Sequence, residues 1–247
     1  MTLLIAAVVT LVLTTVLSMA GVGAAFVLIP VFLALGVELH SAMATALLLN
    51  TIGMSIASFT FVRKGLVAWK LVVPMLLVAV LASPIGVRVG QGMDRAMLLW
   101  LFVGFLMFAS SMMWFYRPKP RSVPHSAHSG LTLGTPVGAV AGFVGGLLGV
   151  GGGNIIVPAL VASGMEPKRA SASASFVVIF ASLSGFLAHV QVAEISPDLL
   201  AATAVATAIG AGLGAWLASE KLQAEQLKRV IALVLVAVAI KTAWSLL

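Results

Sequence analysis

The chain contains no cysteine, which excludes a disulfide framework, a thiolate nucleophile and any Cys-ligated zinc or iron–sulfur centre. Charge is almost as scarce. Only 9% of the 247 residues are charged, with 7 acidic against 14 basic side chains, whereas an ordinary soluble domain carries about 25%. So few charges do not clothe a water-facing surface. Hydrophobic residues make up 61% of the chain, and a lipid bilayer is the solvent that such a composition fits.

The net charge of +7 would suggest nucleic acid in a soluble protein. Here the basic residues stand singly or in pairs between long apolar runs, with no basic helix or aromatic-interleaved stripe to track phosphates, so no nucleic-acid partner is expected. The start of the chain lacks the early Lys or Arg of a signal peptide. The apolar stretch from Leu3 past Ala20 reads as a retained membrane segment.

A helix needs about 20 apolar residues to cross the hydrocarbon core, because every backbone polar group must be satisfied within the segment. Six runs qualify as full spans: about 41–62, 68–90, 95–116, 170–190, 198–217 and 229–247. Two further runs, 3–36 and 131–164, are longer and interrupted. The first is broken at Gly21-Val22-Gly23 and the second at Gly149 through Gly153, each followed by a proline, Pro30 and Pro158. Glycine clusters at membrane depth are tolerated where the unwound backbone is buried or lines a cavity, so each run is expected to form a broken, re-entrant helix hairpin.

Lys and Arg concentrate in cytoplasmic loops. If each hairpin returns to its starting side, Arg63, Lys64, Arg117, Lys119, Arg121, Lys168, Arg169, Lys221, Lys228 and Arg229 share one side, opposed by Arg88, Arg95 and Lys241. That places both termini outside and a linker, 117–130, in the cytoplasm.

Sliding the chain by 128 positions superposes Gly21-Val22-Gly23 on Gly149-Val150-Gly151, Pro30 on Pro158, Gly36 on Gly164 and Glu38 on Glu166. A duplication follows. The N-terminal repeat covers 1–116 and the C-terminal repeat 131–247, each a hairpin plus three spans. A unit with that content ends on the side opposite its start, so the second copy is inverted. The expected fold is an all-α polytopic membrane protein of two inverted-topology repeats, a build common among secondary transporters with a midplane site at the repeat interface.

The paired segments Gly21 to Pro30 and Gly149 to Pro158, with the small-residue run Lys168 to Ser175, resemble the sulfite exporter TauE/SafE family, also called TSUP. The resemblance spans essentially the whole chain. It implies a permease of a bacterial-type inner membrane, with members linked to export of sulfite, sulfoacetate or related organosulfur anions. The first repeat departs from the second by carrying Ala24, Ala25 and Phe26 where the second carries Gly152, Gly153 and Asn154.

An anion leaving water needs donors in place of its hydration shell. Half-helix N-termini provide unpaired N–H groups and a partial positive charge, and glycine lets a ligand approach the amides. Gly21, Gly23, Gly151, Gly152, Gly153 and Asn154 are therefore the candidate substrate-binding core, with Asn154 either capping the second half-helix or donating its amide. Helix packing by glycine is the competing explanation. Thr45, Ser173 and Ser175 offer neutral hydroxyls, which close helix packing explains equally well. Asn50, polar within a span, serves either substrate or a neighbouring helix. His189, beside Gln191, leaves proton coupling open, though an interfacial histidine at a helix end accounts for it too. Replacing Gly152 by Leu is expected to block ligand approach without affecting insertion.

No enzyme is expected. His189 has no buried carboxylate to orient it for Ser–His chemistry, and the glycine run lacks the Gly-Lys-Ser/Thr ending of a nucleotide loop. No metal or other cofactor is called for. The acidic residues all fall in or near loops, which favours an anion over a cation. The function expected is secondary transport of small sulfur-containing anions, with carriage of another small anion such as a carboxylate, or a membrane scaffold without transport, as alternatives.

Overall fold

A computed structural model describes residues 2–20, 23–115 and 127–220, together with 233, 236, 237 and 239–244. Every element among the described residues is helical: α1 (Thr2–Ala20), α2 (Ala25–Ala34), α3 (Leu39–Arg63), α4 (Trp69–Gln91), α5 (Arg95–Phe115), α6 (Ala127–Leu148), α7 (Gly153–Ala162), α8 (Pro167–His189) and α9 (Pro197–Glu220). Six described stretches are long and apolar enough to cross a membrane: those in α3, α4, α5, α6, α8 and α9. The chain is an all-α polytopic membrane protein. The first stretch of α6, residues 127–130, takes the end of the segment expected as linker, and 117–126 lie outside the described residues. Of the expected last span, only the isolated helical positions from 233 to 244 are described.

Local chemistry explains why α2 and α7 are short. Both end in the same way. The Gly36 and Val37 amides donate to the carbonyls of Leu33 and Phe32, and the Gly164 and Met165 amides to Val161 and Leu160. That paired closure needs a left-handed residue just past the helix, and Gly36 and Gly164 supply it at φ of 85° and 96°. A glutamate two residues on then begins the next helix. Glu38 accepts the Ser41 amide at 3.0 Å, whereas Glu166 makes no such side-chain bond and is followed by Pro167 at the start of α8. These are the Gly and Glu matches of the sequence repeat.

Contacts between helices establish their senses. Gly134, Gly138, Gly142 and Gly146 of α6 press on the backbone of Leu71, Met75, Ala79 and Ser83 of α4, in rising order along both, so the two helices run parallel. A Cβ at Gly138, Gly142 or Gly146 would overlap the carbonyl it faces, so only glycine permits this approach. Gly210 and Gly214 of α9 press on Leu11 and Thr15 of α1 in the same parallel sense. Helices α3 and α8 are antiparallel: His40 meets His189, Leu47 lies against Gly185, and Asn50 bonds Ser182.

These senses locate the broken segments. The starts of α4, α6 and α8 lie at one end of the bundle, where Gly134 meets Leu71 and the Ala68 amide donates to Ser173 Oγ at 3.0 Å. Both α6 and α8 run away from that end, so α7 runs back between them. The starts of α3 and α9 lie at the opposite end, where the Glu194 amide donates to Ser41 Oγ at 3.0 Å. Because α1 parallels α9, α2 likewise runs back between α1 and α3.

Candidate functional site

At the second interruption Gly149, Gly151 and Gly152 adopt φ of 70°, 75° and 77°, a region closed to most L side chains. The Gly145 carbonyl accepts the amides of Val150 at 2.9 Å and Gly151 at 3.4 Å. The chain thereby folds back on α6, and a Cβ on Gly152 would overlap the Ala141 carbonyl. At the first interruption Gly23 adopts φ of 83° and Ala24 is the N-cap of α2.

The two interruptions meet at Asn50. The Ala24 amide donates to Asn50 Oδ1 at 3.1 Å, and Asn50 Nδ2 donates to Ser182 Oγ at 3.0 Å. Gly23 and Gly151 both abut the same carboxamide, leaving no room for a Cβ on either. Asn50 stands about 16 Å along α3, about halfway through a bilayer core. From this point α2 runs toward one end of the bundle and α7 toward the other, so two positive helix ends converge on one neutral, buried amide.

Neither half-helix has a side-chain cap at its start, and what sets α2 apart is the Ala24 amide held by Asn50. In α7 the N-cap is Gly152, so Asn154 lies two residues inside the helix and does not cap it, correcting one of the two roles expected. Both carboxamide atoms of Asn154 are buried without a hydrogen-bond partner, in a residue only 4% exposed. A buried amide without partners costs about 1–3 kcal/mol, which marks it as a group awaiting an acceptor or donor.

Of the sequence candidates, the structure brings Gly23, Asn50 and Gly151 into contact, with Gly152, Gly153 and Asn154 following at the start of α7. Gly21 lies outside the described residues. Thr45 is buried on α3, more than one turn before Asn50. Ser173 caps the start of α4 through Ala68 and stands about 14 Å along α8 from Ser182. Ser175 Oγ donates to the Ser171 carbonyl within its own helix at 2.7 Å. Ser182 was not among the candidates. Its sequence signal is a small polar residue in a span, shared with many others, and only the antiparallel crossing of α3 and α8 singles it out.

An open groove of about 560 Å³ runs between α5 and the α6–α7 pair, lined by Met97, Trp100, Leu101, Gly104, Phe108 and Ile155 among others. Its side chains are apolar, and Met97, Trp100 and Phe108 are exposed along a spanning helix. Neither Asn50 nor Ser182 lines it. Among the described residues no group of three or more His, Cys, Asp or Glu stands close enough to hold a metal ion.

The model of the family described as "Sulfite exporter TauE/SafE" matches residues 5–242. The chain belongs to the TauE/SafE family. It is similar to the probable membrane transporter protein YunE of Bacillus subtilis, 24% identical across 96% of this chain and 95% of that protein. It is also similar to a probable membrane transporter protein of Xylella fastidiosa, 29% identical across 83% of this chain and 80% of that one. A shorter stretch, 18% of this chain and 10% of its relative, is 49% identical to sulfite exporter TauE/SafE family protein 3 of Arabidopsis thaliana. No solved structure matches the chain. Membership places this TauE/SafE protein among membrane transporters rather than enzymes, with a small-molecule substrate and a lipid bilayer as its partners.

Proposed function

We propose that the protein is a secondary transporter that exports small sulfur-containing anions, such as sulfite, sulfoacetate or related organosulfonates, by alternating access at the Asn50 crossing. The observation that carries this reading is the meeting of two half-helix N-termini at one buried amide. Asn50 Oδ1 stands where an anionic oxygen would be stabilised at the amino end of α2. The substrate displaces that oxygen, takes the Ala24 amide, and engages the uncommitted Asn154 amide and the first N–H groups of α7. Neutral donors and helix dipoles bind an anion without a fixed cation that would hold it too tightly to release.

Alternating access follows from an inverted repeat, and the opposite senses of α1 and α3 against α6 and α8 support that reading. The orientation rests on charge. Arg63, Lys64, Lys70, Lys168 and Arg169 belong, with Glu166, to the end where α4 and α8 begin, and the opposite end carries Glu38, Asp94, Glu194 and Asp198 with Arg88 and Arg95. By the positive-inside rule the first end is cytoplasmic and both termini lie outside a plasma, bacterial-type inner membrane.

Purified protein in liposomes, assayed with sulfite, sulfoacetate, taurine, sulfate and acetate, tests the proposal. Saturable flux of a sulfur anion, lost on Asn154→Ala, is the expected result. Equal flux of wild type and protein-free vesicles across the panel, in folded protein, overturns it.

A further inference from the structure

We infer that His40 and His189 form a proton-binding site that opens the end of the bundle where α3 begins and α8 ends. The two rings lie with centroids 5.9 Å apart, one from each of the antiparallel helices that also carry Asn50 and Ser182. His189 is 1% exposed and His40 is half-buried, so His40 is the side from which water and protons arrive.

The hydrogen bonds assign the ring atoms. His189 Nε2 is 3.3 Å from the Gly146 carbonyl, and since a carbonyl only accepts, Nε2 holds the hydrogen in this neutral ring. Nδ1 is then a bare lone pair, buried and without a partner, and Nδ1 of His40 is also buried without a partner. A proton added at His189 Nδ1 creates a buried N–H⁺ that faces no acceptor, and a second proton on His40 sets two cations against each other. The protonated pair is therefore incompatible with the closed packing. It is accommodated when the α3 and α8 ends part and admit water, so proton binding and opening are linked.

The groups facing the pair are few. From α3 come Glu38 and His40, and Glu38 is the anion that draws positive charge here. From α4 the neutral Gln91 donates to the Ala188 carbonyl at 3.5 Å, with the exposed Arg88 one turn earlier. The segment after α8 contributes Glu194, whose backbone bonds Ser41. Helix α9, packed on α3, begins at this end with Asp198, and α5 begins there with Arg95 after Asp94, whereas neither α6 nor α7 brings a charge to it.

The pair also touches the second interruption. Gly146, whose carbonyl His189 holds, also accepts the Gly149 amide at 3.4 Å. Met43, one turn along α3 from His40, is fully buried against Gly149. Water entering at the histidines would reach Met43 before Asn50. The bearing of this device on flux rests on the proposed transport at Asn50, but its test does not.

Because the chain has no cysteine, Met43→Cys provides a sole thiol. Its alkylation by a charged maleimide is followed in the full chain in nanodiscs, normalised at each pH to the same thiol in denatured protein. The normalised rate is expected to rise more than tenfold from about pH 7.5 to about pH 4.5, a window reaching below the ordinary histidine range because the closed packing opposes the proton, and to stay flat when His189→Gln is added. Gln keeps a donor for Gly146 and cannot take the proton. His40→Gln serves as the second variant should the first fail to fold, and is expected to shift the midpoint of the rise. Ring ¹⁵N shifts of His189 in the Met43 protein should follow the same midpoint. A flat rate in Met43→Cys, or an unchanged rise and midpoint in the folded histidine variants, overturns the inference. No flux is measured, so a protein that carries none of the anions tested still passes or fails here.

Discussion

At the first interruption the N-cap residue of α2, Ala24, has its own amide held by a side chain from another helix, Asn50. At the second, the amino end of α7 has only Gly152 as its N-cap, and Asn154 is left without partners. The position 128 residues beyond Asn50 is Val178, which packs against Gly151 as Asn50 packs against Gly23. One carboxamide therefore serves both interruptions. On the proposed reading the two interruptions differ in role: the first half contributes the oxygen that the substrate displaces, and the second contributes the donors that receive it.

The harshest way to break this comparison is at the glycines. Gly152→Ala and Gly23→Ala each force a side chain into a left-handed backbone, costing about 1–2 kcal/mol. At Gly152 the new Cβ also meets the Ala141 backbone, whereas at Gly23 it meets the Asn50 side chain, which can turn. Gly152→Ala should lose about 1–3 kcal/mol more than Gly23→Ala, as read from thermal unfolding in detergent. The same collision condemns Gly152→Leu as a probe of ligand approach, since it would disturb the turn itself.

Asn50→Ala removes the shared amide and strands both the Ala24 N–H and Ser182. A loss of about 1–3 kcal/mol is expected, with flux reduced at least tenfold. Asn154→Ala, which strands nothing, should leave stability within about 1 kcal/mol of wild type while reducing flux by a similar factor. If Asn154→Ala transports normally, the division of roles between the halves is wrong.

A smaller contrast lies at the ends of the half-helices. Partial burial opposes ionisation of Glu38, but the backbone N–H groups of His40 and Ser41, with the Ser41 hydroxyl and the nearby His40, more than offset it, and the carboxyl sits below its ordinary 4.5. A lowered carboxyl stabilises the fold above its ordinary value and loses that contribution as pH falls through the lowered one. Glu38→Ala should cost about 0.5–1 kcal/mol at neutral pH, discounted for exposure, and nothing in strong acid. Glu166→Ala, at a cap without a side-chain bond, should cost less at every pH. Denaturation of the two variants at pH 7 and pH 3 separates them. Ser173→Ala is expected to cost about 1 kcal/mol by freeing the Ala68 amide, with flux unchanged.

Much of this was legible because its causes are local. Spans follow from the length of apolar runs between charges, and the interruptions from glycines whose positive φ the turns require. The match of Gly36 with Gly164 is visible in the chain because each performs the same closure, and Glu38 and Glu166 take the same N-cap position two residues on, all read within a few residues. The serines of α8 were less informative. Ser173 and Ser175 look alike in sequence, yet one caps α4 and the other bonds its own helix. Asn154, two residues past an N-cap, is placed as a cap or not by the turn of a single glycine.

The amino-acid sequence by itself determined that this is a helical membrane protein, where its helices break, and that its two halves share a motif. Hydrocarbon penalises every unpaired backbone group, and so reduces those outcomes to run length and glycine placement. Only the tertiary structure decided that the two interruptions meet at Asn50, that Ser182 completes the crossing, and that His40 faces His189. Those partners come from different helices far apart in the chain, and which helix faces meet is a property of glycine seams packed to backbone contact, where one turn of register would part every pair.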